Sequence, residues 1–94
     1  MDRDEALKMV CHAIAEIQEQ SGRGVDSITE QSRPFVDVDG FDSLNGEEVT
    51  ALLLEDLSFG PDFNPFTPLD NGDLTIGEIA DRLAANATVK QGVV

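Results

Sequence analysis

Apolar residues return at intervals of three and four over the first twenty positions. Leu7, Val10, Cys11, Ile14 and Ile17 fall on one side of a helical wheel, with Glu5, Lys8, His12, Glu16 and Glu19 mainly on the other. That period predicts an amphipathic helix over about residues 4–20. Ser21-Gly22-Arg23-Gly24 follows, and Gly22 or Gly24 can take the left-handed conformation that ends a helix. Cys11 lies on the apolar stripe and reads as a small core residue rather than a nucleophile, while His12 with Glu16 one turn on reads as an exposed pair rather than a metal site.

From 21 to 42 no period is sustained, and Pro34 removes a backbone donor and disfavours helix at Arg33, so a long loop is expected, pinned by Ile28, Phe35, Val36 and Val38. A second helix can be drawn over about 43–57, opened by the side-chain oxygens of Asp42 or Ser43. Its stripe is Val49, Leu52, Leu53 and Leu57, whereas Leu44, Glu48, Ala51 and Glu55 share a separate line, which leaves Leu44 among acids. Residues 58–74 hold Gly60, Pro61, Pro65, Pro68 and Gly72 and read as loop with room for a short helix. Thr75 and Glu78 form a capping box for a last helix over about 75–86 with the stripe Ile76, Ile79, Ala80 and Leu83, and 87–94 reads as a frayed tail. The elements sum to a single all-α domain over 1–94, a small bundle of three to four helices with long loops between the first two and before the last.

Composition narrows what such a bundle can do. Nineteen acidic residues against six basic ones leave a net charge of -13, which disfavours nucleic acid and anionic membranes and attracts basic protein surfaces. Between Arg33 and Arg82 there is no Lys or Arg at all. One cysteine excludes an intramolecular disulfide and suits a reducing compartment, no apolar run is long enough to span a membrane, and Met1-Asp2-Arg3-Asp4-Glu5 lacks the layout of a secretion signal, so a cytoplasmic monomer is expected. No nucleophile stands with a base at a suggestive spacing, so no catalytic residue and no enzyme activity are expected.

The informative segment is Gly40-Phe41-Asp42-Ser43-Leu44, which puts a serine on the first turn of a helix behind a loop. A phosphate ester there would meet free backbone N–H groups and the positive end of the helix dipole. The segment resembles the signature of the acyl carrier and peptidyl carrier family, as do Leu54-Glu55-Asp56-Leu57-Ser58-Phe59-Gly60 and the last helix, Leu74-Thr75-Ile76-Gly77-Glu78-Ile79-Ala80-Asp81-Arg82-Leu83. The resemblance runs from about Leu7 to Leu83 in the family's order and implies a bundle of the acyl-carrier type. It implies that Ser43, flanked by Asp42 and Leu44, accepts 4'-phosphopantetheine from coenzyme A through a separate magnesium-holding phosphopantetheinyl transferase, and that the arm's thiol carries an acyl or aminoacyl group to biosynthetic enzymes. Asp42, Leu44, Glu47, Glu48, Glu55 and Asp56 then match the face that members present to basic patches on those enzymes.

Asn45, Gly46 and Glu47 depart from the family's usual residues, and the stretch after Gly60 is longer than in common fatty-acid carriers, which points to a specialised carrier. Phe59, Phe63, Phe66 and Leu69 are expected to close over the core or line a chain-binding cavity. Two rival readings have residues of their own. Asp37, Asp39 and Glu48 occupy the first, third and twelfth positions of a calcium loop, but Phe41 and Asp42 break its ligand and turn positions. The other rival is an unmodified acidic interaction domain in which Ser43 is only a helix cap.

Overall fold

The computed structural model describes residues 1–24, 28–66 and 74–90. Within them the chain is mostly helical, with α1 (Arg3–Gln20), α2 (Pro34–Asp37), α3 (Ser43–Asp56) and α4 (Ile76–Asn86), and two short strands, β1 (Leu57–Ser58) and β2 (Thr88–Val89). Each long helix starts on a side-chain cap. Asp2 accepts from the Glu5 amide, Asp42 from Asn45 and Thr75 from Glu78, each relieving one of the first-turn N–H groups that a helix cannot satisfy internally.

α1 packs against both α4 and α3. It presents Ala6, Val10, Ala13, Ile14 and Ile17 to the core, where they meet Val49, Leu53 and Leu57 of the α3 segment and Ile76, Ile79, Ala80 and Leu83 of α4. The alanines matter because their small side chains let the neighbouring helices approach, and they extend the apolar stripe beyond its larger members. No helix among the described residues is long and apolar enough to cross a membrane.

The loop between α1 and α3 contains a helical turn, α2, which the sequence reading placed in loop. Pro34 stands at its first position, where the missing N–H is no loss and the fixed φ suits a helix. The restriction that proline imposes falls on Arg33, which is extended (φ -105°, ψ 109°). Asp37 closes the turn on itself, its carboxylate accepting from the Arg33 amide at 2.8 Å and pairing with the guanidinium at 3.7 Å. Just upstream, the carbonyls of Ser32 and Glu30 accept from the amides of Ile76 and Gly77 at 2.8 Å each, so this loop caps α4. Gly77 suits that close approach, since a Cβ there would lie 3.1 Å from the Glu30 carbonyl oxygen, tighter than an ordinary contact. Arg3 ties the same corner, pairing with Glu30 and Asp81.

The tail also departs from expectation. Residues 88 and 89 pair antiparallel with 57 and 58, in the register Leu57 to Val89 and Ser58 to Thr88. Ala87 is buried, and Lys90 donates its amide to the Asp56 carbonyl (2.9 Å) and its Nζ to the Leu54 carbonyl (2.6 Å). α3 has no basic residue in its last turn, so Lys90 supplies from the far end of the chain the cation that the negative end of that helix favours. Residues 91–94 lie outside the described residues.

Phe66 is 1% exposed and meets Phe35 edge-on at 5.7 Å between ring centroids and Phe41 at 6.2 Å. Truncation of so buried a ring leaves a cavity, and Phe66→Ala is expected to lower unfolding free energy by about 3–5 kcal/mol; urea denaturation followed by circular dichroism checks this, and a midpoint close to wild type would contradict the packing.

Candidate functional site

The geometry around Ser43 is set from the end of α1. Ser21 leaves the helix, Gly22 takes φ +73°, the Gly22 amide donates to the Glu19 carbonyl at 3.1 Å and the Arg23 amide to the Gln18 carbonyl at 2.9 Å. This pair of crossed bonds is the Schellman stop, and Gly22 is the residue that makes it inexpensive. Its consequence is directional: Arg23 is turned back over the last turn of α1. Nε of Arg23 donates to Oε1 of Gln18 at 3.3 Å, and Nη2 reaches across to Oδ1 of Asn45 on α3 at 3.1 Å. Gln18 is fully buried and uses its remaining capacity on the Asp39 carbonyl, with Nε2 donating at 2.7 Å. Gly40, at φ +68°, lies under the guanidinium, where a Cβ would sit 2.7 Å from Cδ of Arg23.

On the other side of that contact, Asn45 completes the cap of α3. Its amide N–H donates to the Asp42 carboxylate at 3.1 Å, and its Oδ1 accepts the Asp42 amide at 3.2 Å, so Asp42 and Asn45 cap each other reciprocally. Asn45 Nδ2 donates to Glu48 at 2.9 Å. Asn45 is buried for this reason, every polar atom of its side chain having a partner. Ser43 and Leu44 occupy the two positions between the capping partners, exposed, with backbone N–H groups that have no acceptor within the helix. The first turn carries no acidic residue, which follows from asparagine standing at 45.

Gly46, the next departure noted in the sequence, lies against the aromatic cluster: a Cβ there would be 3.2 Å from Cζ of Phe35 and 3.7 Å from Cγ of Phe66. The glycine eases the approach of Phe35 from α2, while Phe66 is at an ordinary contact distance. Beyond it, Asp42, Leu44, Glu47, Glu48, Glu55 and Asp56 are all exposed, as is Ala51 on the same line, and Leu44 is 62% accessible. Three further apolar side chains are exposed that the wheel did not single out, Val36 on α2, Leu54 on α3 and Val89 on β2.

The four apolar residues of the 58–74 stretch do not gather into one pocket. Phe66 joins the core with Phe35 and Phe41, while Phe59 and Phe63 form a separate half-buried pair at 5.4 Å with the Arg82 guanidinium 5.7 Å from the Phe63 ring. Leu69 lies outside the described residues. A groove of about 140 Å³ runs instead between α1 and α3, with Met9, Leu52 and Leu53 as its apolar lining and His12, Glu16, Glu55 and Asp56 among its polar residues. Two of the three carboxylates of the calcium-loop pattern have other partners, Asp37 holding Arg33 and Glu48 holding Asn45. No group of three or more His, Cys, Asp or Glu side chains among the described residues is placed to hold a metal ion.

Gln18 and Arg23 support the geometry at Ser43 and carry no signal of it in the informative segment, in which Gly40 does stand. Gln18 did leave a trace, since it stands four residues after Ile14, on the apolar side of α1, where a polar side chain is out of place unless it is bonded. Gly40→Ala forces a side chain into both a left-handed backbone and the Arg23 contact; it is expected to destabilise the fold by more than about 1 kcal/mol, a loss that chemical denaturation measures.

Cys11 sits at the rim of the core rather than inside it, half-buried beside a shallow apolar depression that includes Lys8, Ala15 and Ile28. Burial raises its thiol above the ordinary value. The folded chain therefore keeps that proton where the unfolded chain has lost it, so this contribution to stability is complete below about pH 8.5 and declines as pH rises beyond it. Alkylation by iodoacetamide at pH 8 is expected to be slower for Cys11 than for a free thiol, and to reach the free-thiol rate in denaturant. Set beside this geometry, no family model, no curated protein and no solved structure matches the chain.

Proposed function

We propose that this protein is a carrier domain whose Ser43 hydroxyl bears a 4'-phosphopantetheine arm, and that the acidic line along α3 docks it on enzymes with basic surfaces. The observation that carries the reading is the exposed Ser43 on a first turn free of acidic residues, framed by the reciprocal Asp42–Asn45 cap and continued by exposed Leu44, Glu48, Ala51 and Glu55. The residues fit the group. A phosphodiester on Ser43 would lie beside the unpaired amides of Ser43 and Leu44 at the positive end of α3, and the neutral Asn45 spares it one neighbouring charge.

Loading is a phosphoryl transfer. The Ser43 oxygen attacks the phosphorus that bears the pantetheine of coenzyme A, the bond from that phosphorus to the adenosine bisphosphate breaks, and the hydroxyl proton passes to a base of the transferase. This chain contributes the nucleophilic oxygen and its orientation. Once bound, the arm supplies a thiol that holds an acyl or aminoacyl group as a thioester. The carrier's own residues act by presentation: exposed Leu44 and Leu54 offer apolar contacts, and Glu47, Glu48, Glu55 and Asp56 steer a basic partner onto the same helix. Five of the six basic residues bond within the fold, and none of the six stands on α3.

Incubation with coenzyme A, magnesium and a broad-specificity phosphopantetheinyl transferase is expected to add about 340 Da, the mass of one arm, to the intact protein and nothing to Ser43→Ala. The product should also show two thiols by alkylation, a fast one on the arm and the slow Cys11. No mass gain, or a gain that persists in Ser43→Ala, would reject the carrier reading and leave an unmodified acidic interaction domain.

A further inference from the structure

We infer that Arg23 is a positioning residue for the loading of Ser43, acting through Asn45; the inference rests on the carrier reading for its biochemical meaning. Ser43 lies between two residues whose conformations Arg23 constrains. Asn45 has one side-chain acceptor, Oδ1, and it serves two donors, the Asp42 amide and Nη2 of Arg23. That commitment fixes the amide's direction and leaves Nδ2 facing Glu48. Arg23 is itself held at three points: its backbone amide donates to the Gln18 carbonyl, its Nε donates to the Gln18 side chain, and its side chain lies on the bare surface of Gly40. The end of α1, the Asp39–Gly40 corner and the first turn of α3 are therefore one bonded unit, and the turn that carries the nucleophile has a fixed orientation relative to the core.

The kinetic signature of this role differs from that of a docking residue. Arg23 is half-buried and carries the charge opposite to that of the acidic line, so its removal makes the protein more negative and does not weaken attraction to a basic transferase. Orientation of the attacking oxygen enters the transfer step instead. With the transferase, coenzyme A and magnesium as the assay, Arg23→Ala is expected to lose about tenfold in kcat, the scale of one hydrogen bond from a charged donor, while KM for the carrier stays within about twofold. Arg23→Lys, which can reach Asn45 but cannot also hold Gln18, is expected to recover part of the loss. Asn45→Leu removes the same link from the other side, so the double variant Arg23→Ala/Asn45→Leu should be no slower than the slower single variant.

Each outcome decides. Wild-type kcat in a folded Arg23→Ala, equal losses in Arg23→Lys and Arg23→Ala, or multiplied losses in the double variant would overturn the assignment. So would a fall in rate that merely tracks the folded fraction measured by circular dichroism. If the wild type takes no arm, the carrier reading fails on its own, and positioning is still tested by the backbone amide resonances of Ser43 and Leu44. Displaced or broadened resonances in Arg23→Ala support the coupling, and unchanged ones reject it.

Discussion

The bond from Arg23 to Asn45 ties the end of α1 to the first turn of α3. Without it, α1 and α3 would still pack through Ile14, Ile17, Val49 and Leu53, but apolar contacts alone tolerate small slides and rotations. Hydrogen bonds between a planar guanidinium, a buried amide and a carbonyl corner do not. The whole arrangement begins with a glycine: because Gly22 can take a positive φ, α1 ends in two crossed bonds that turn Arg23 back toward the bundle. Gly40, with its own positive φ, leaves the space that the arginine side chain occupies. Two glycines eighteen positions apart thus serve one side chain, and that side chain holds the cap beside Ser43.

Charge is divided along the same lines. The chain has six basic side chains against nineteen acidic ones, and Arg3, Arg23, Arg33, Arg82 and Lys90 are bonded to loops, caps or helix ends. Cations are used where backbone carbonyls or isolated carboxylates need them, and the acids of α3 are left exposed with no cation on that helix. Such a surface lowers stability by self-repulsion while raising encounter rates with basic partners. Exposed pairs such as Arg33–Asp37 contribute little by themselves, so the contribution of these cations lies in geometry more than in Coulomb energy.

The departures from the resembling family become intelligible in this light. Asn45 is neutral, yet it has three hydrogen-bond partners and joins three segments, so it does more than omit a charge. Gly46 costs helix propensity, and in return the Phe35 ring packs close against the start of α3. Glu47 is simply exposed. The carriers' familiar pattern and this chain's departures meet at the first turn of α3, with Ser43 between them.

What could be read from the amino acids alone was whatever depends on near neighbours. The three long helices were legible in their three-and-four periodicity, the Thr75–Glu78 capping box in four consecutive residues, and the exposure of Leu44 in the angle between two stripes of one helix. The α2 turn was missed because Pro34 was weighed as a breaker and not as a first helical residue, two roles that local sequence does not separate. The antiparallel pairing of 57–58 with 88–89, the separation of Phe66 from Phe59 and Phe63, and the reach of Arg23 to Asn45 required the tertiary structure. The strand pairing, the packing of Phe66 on Phe35 and the Arg23–Asn45 bond join residues between twenty-two and thirty-two positions apart, and no local period encodes which of several acceptors a long arginine will find. The residues alone show which faces are apolar and where a serine stands on a helix; the bonds around the cap beside that serine are a matter of tertiary packing, because they close only where α1, its turn and α3 meet.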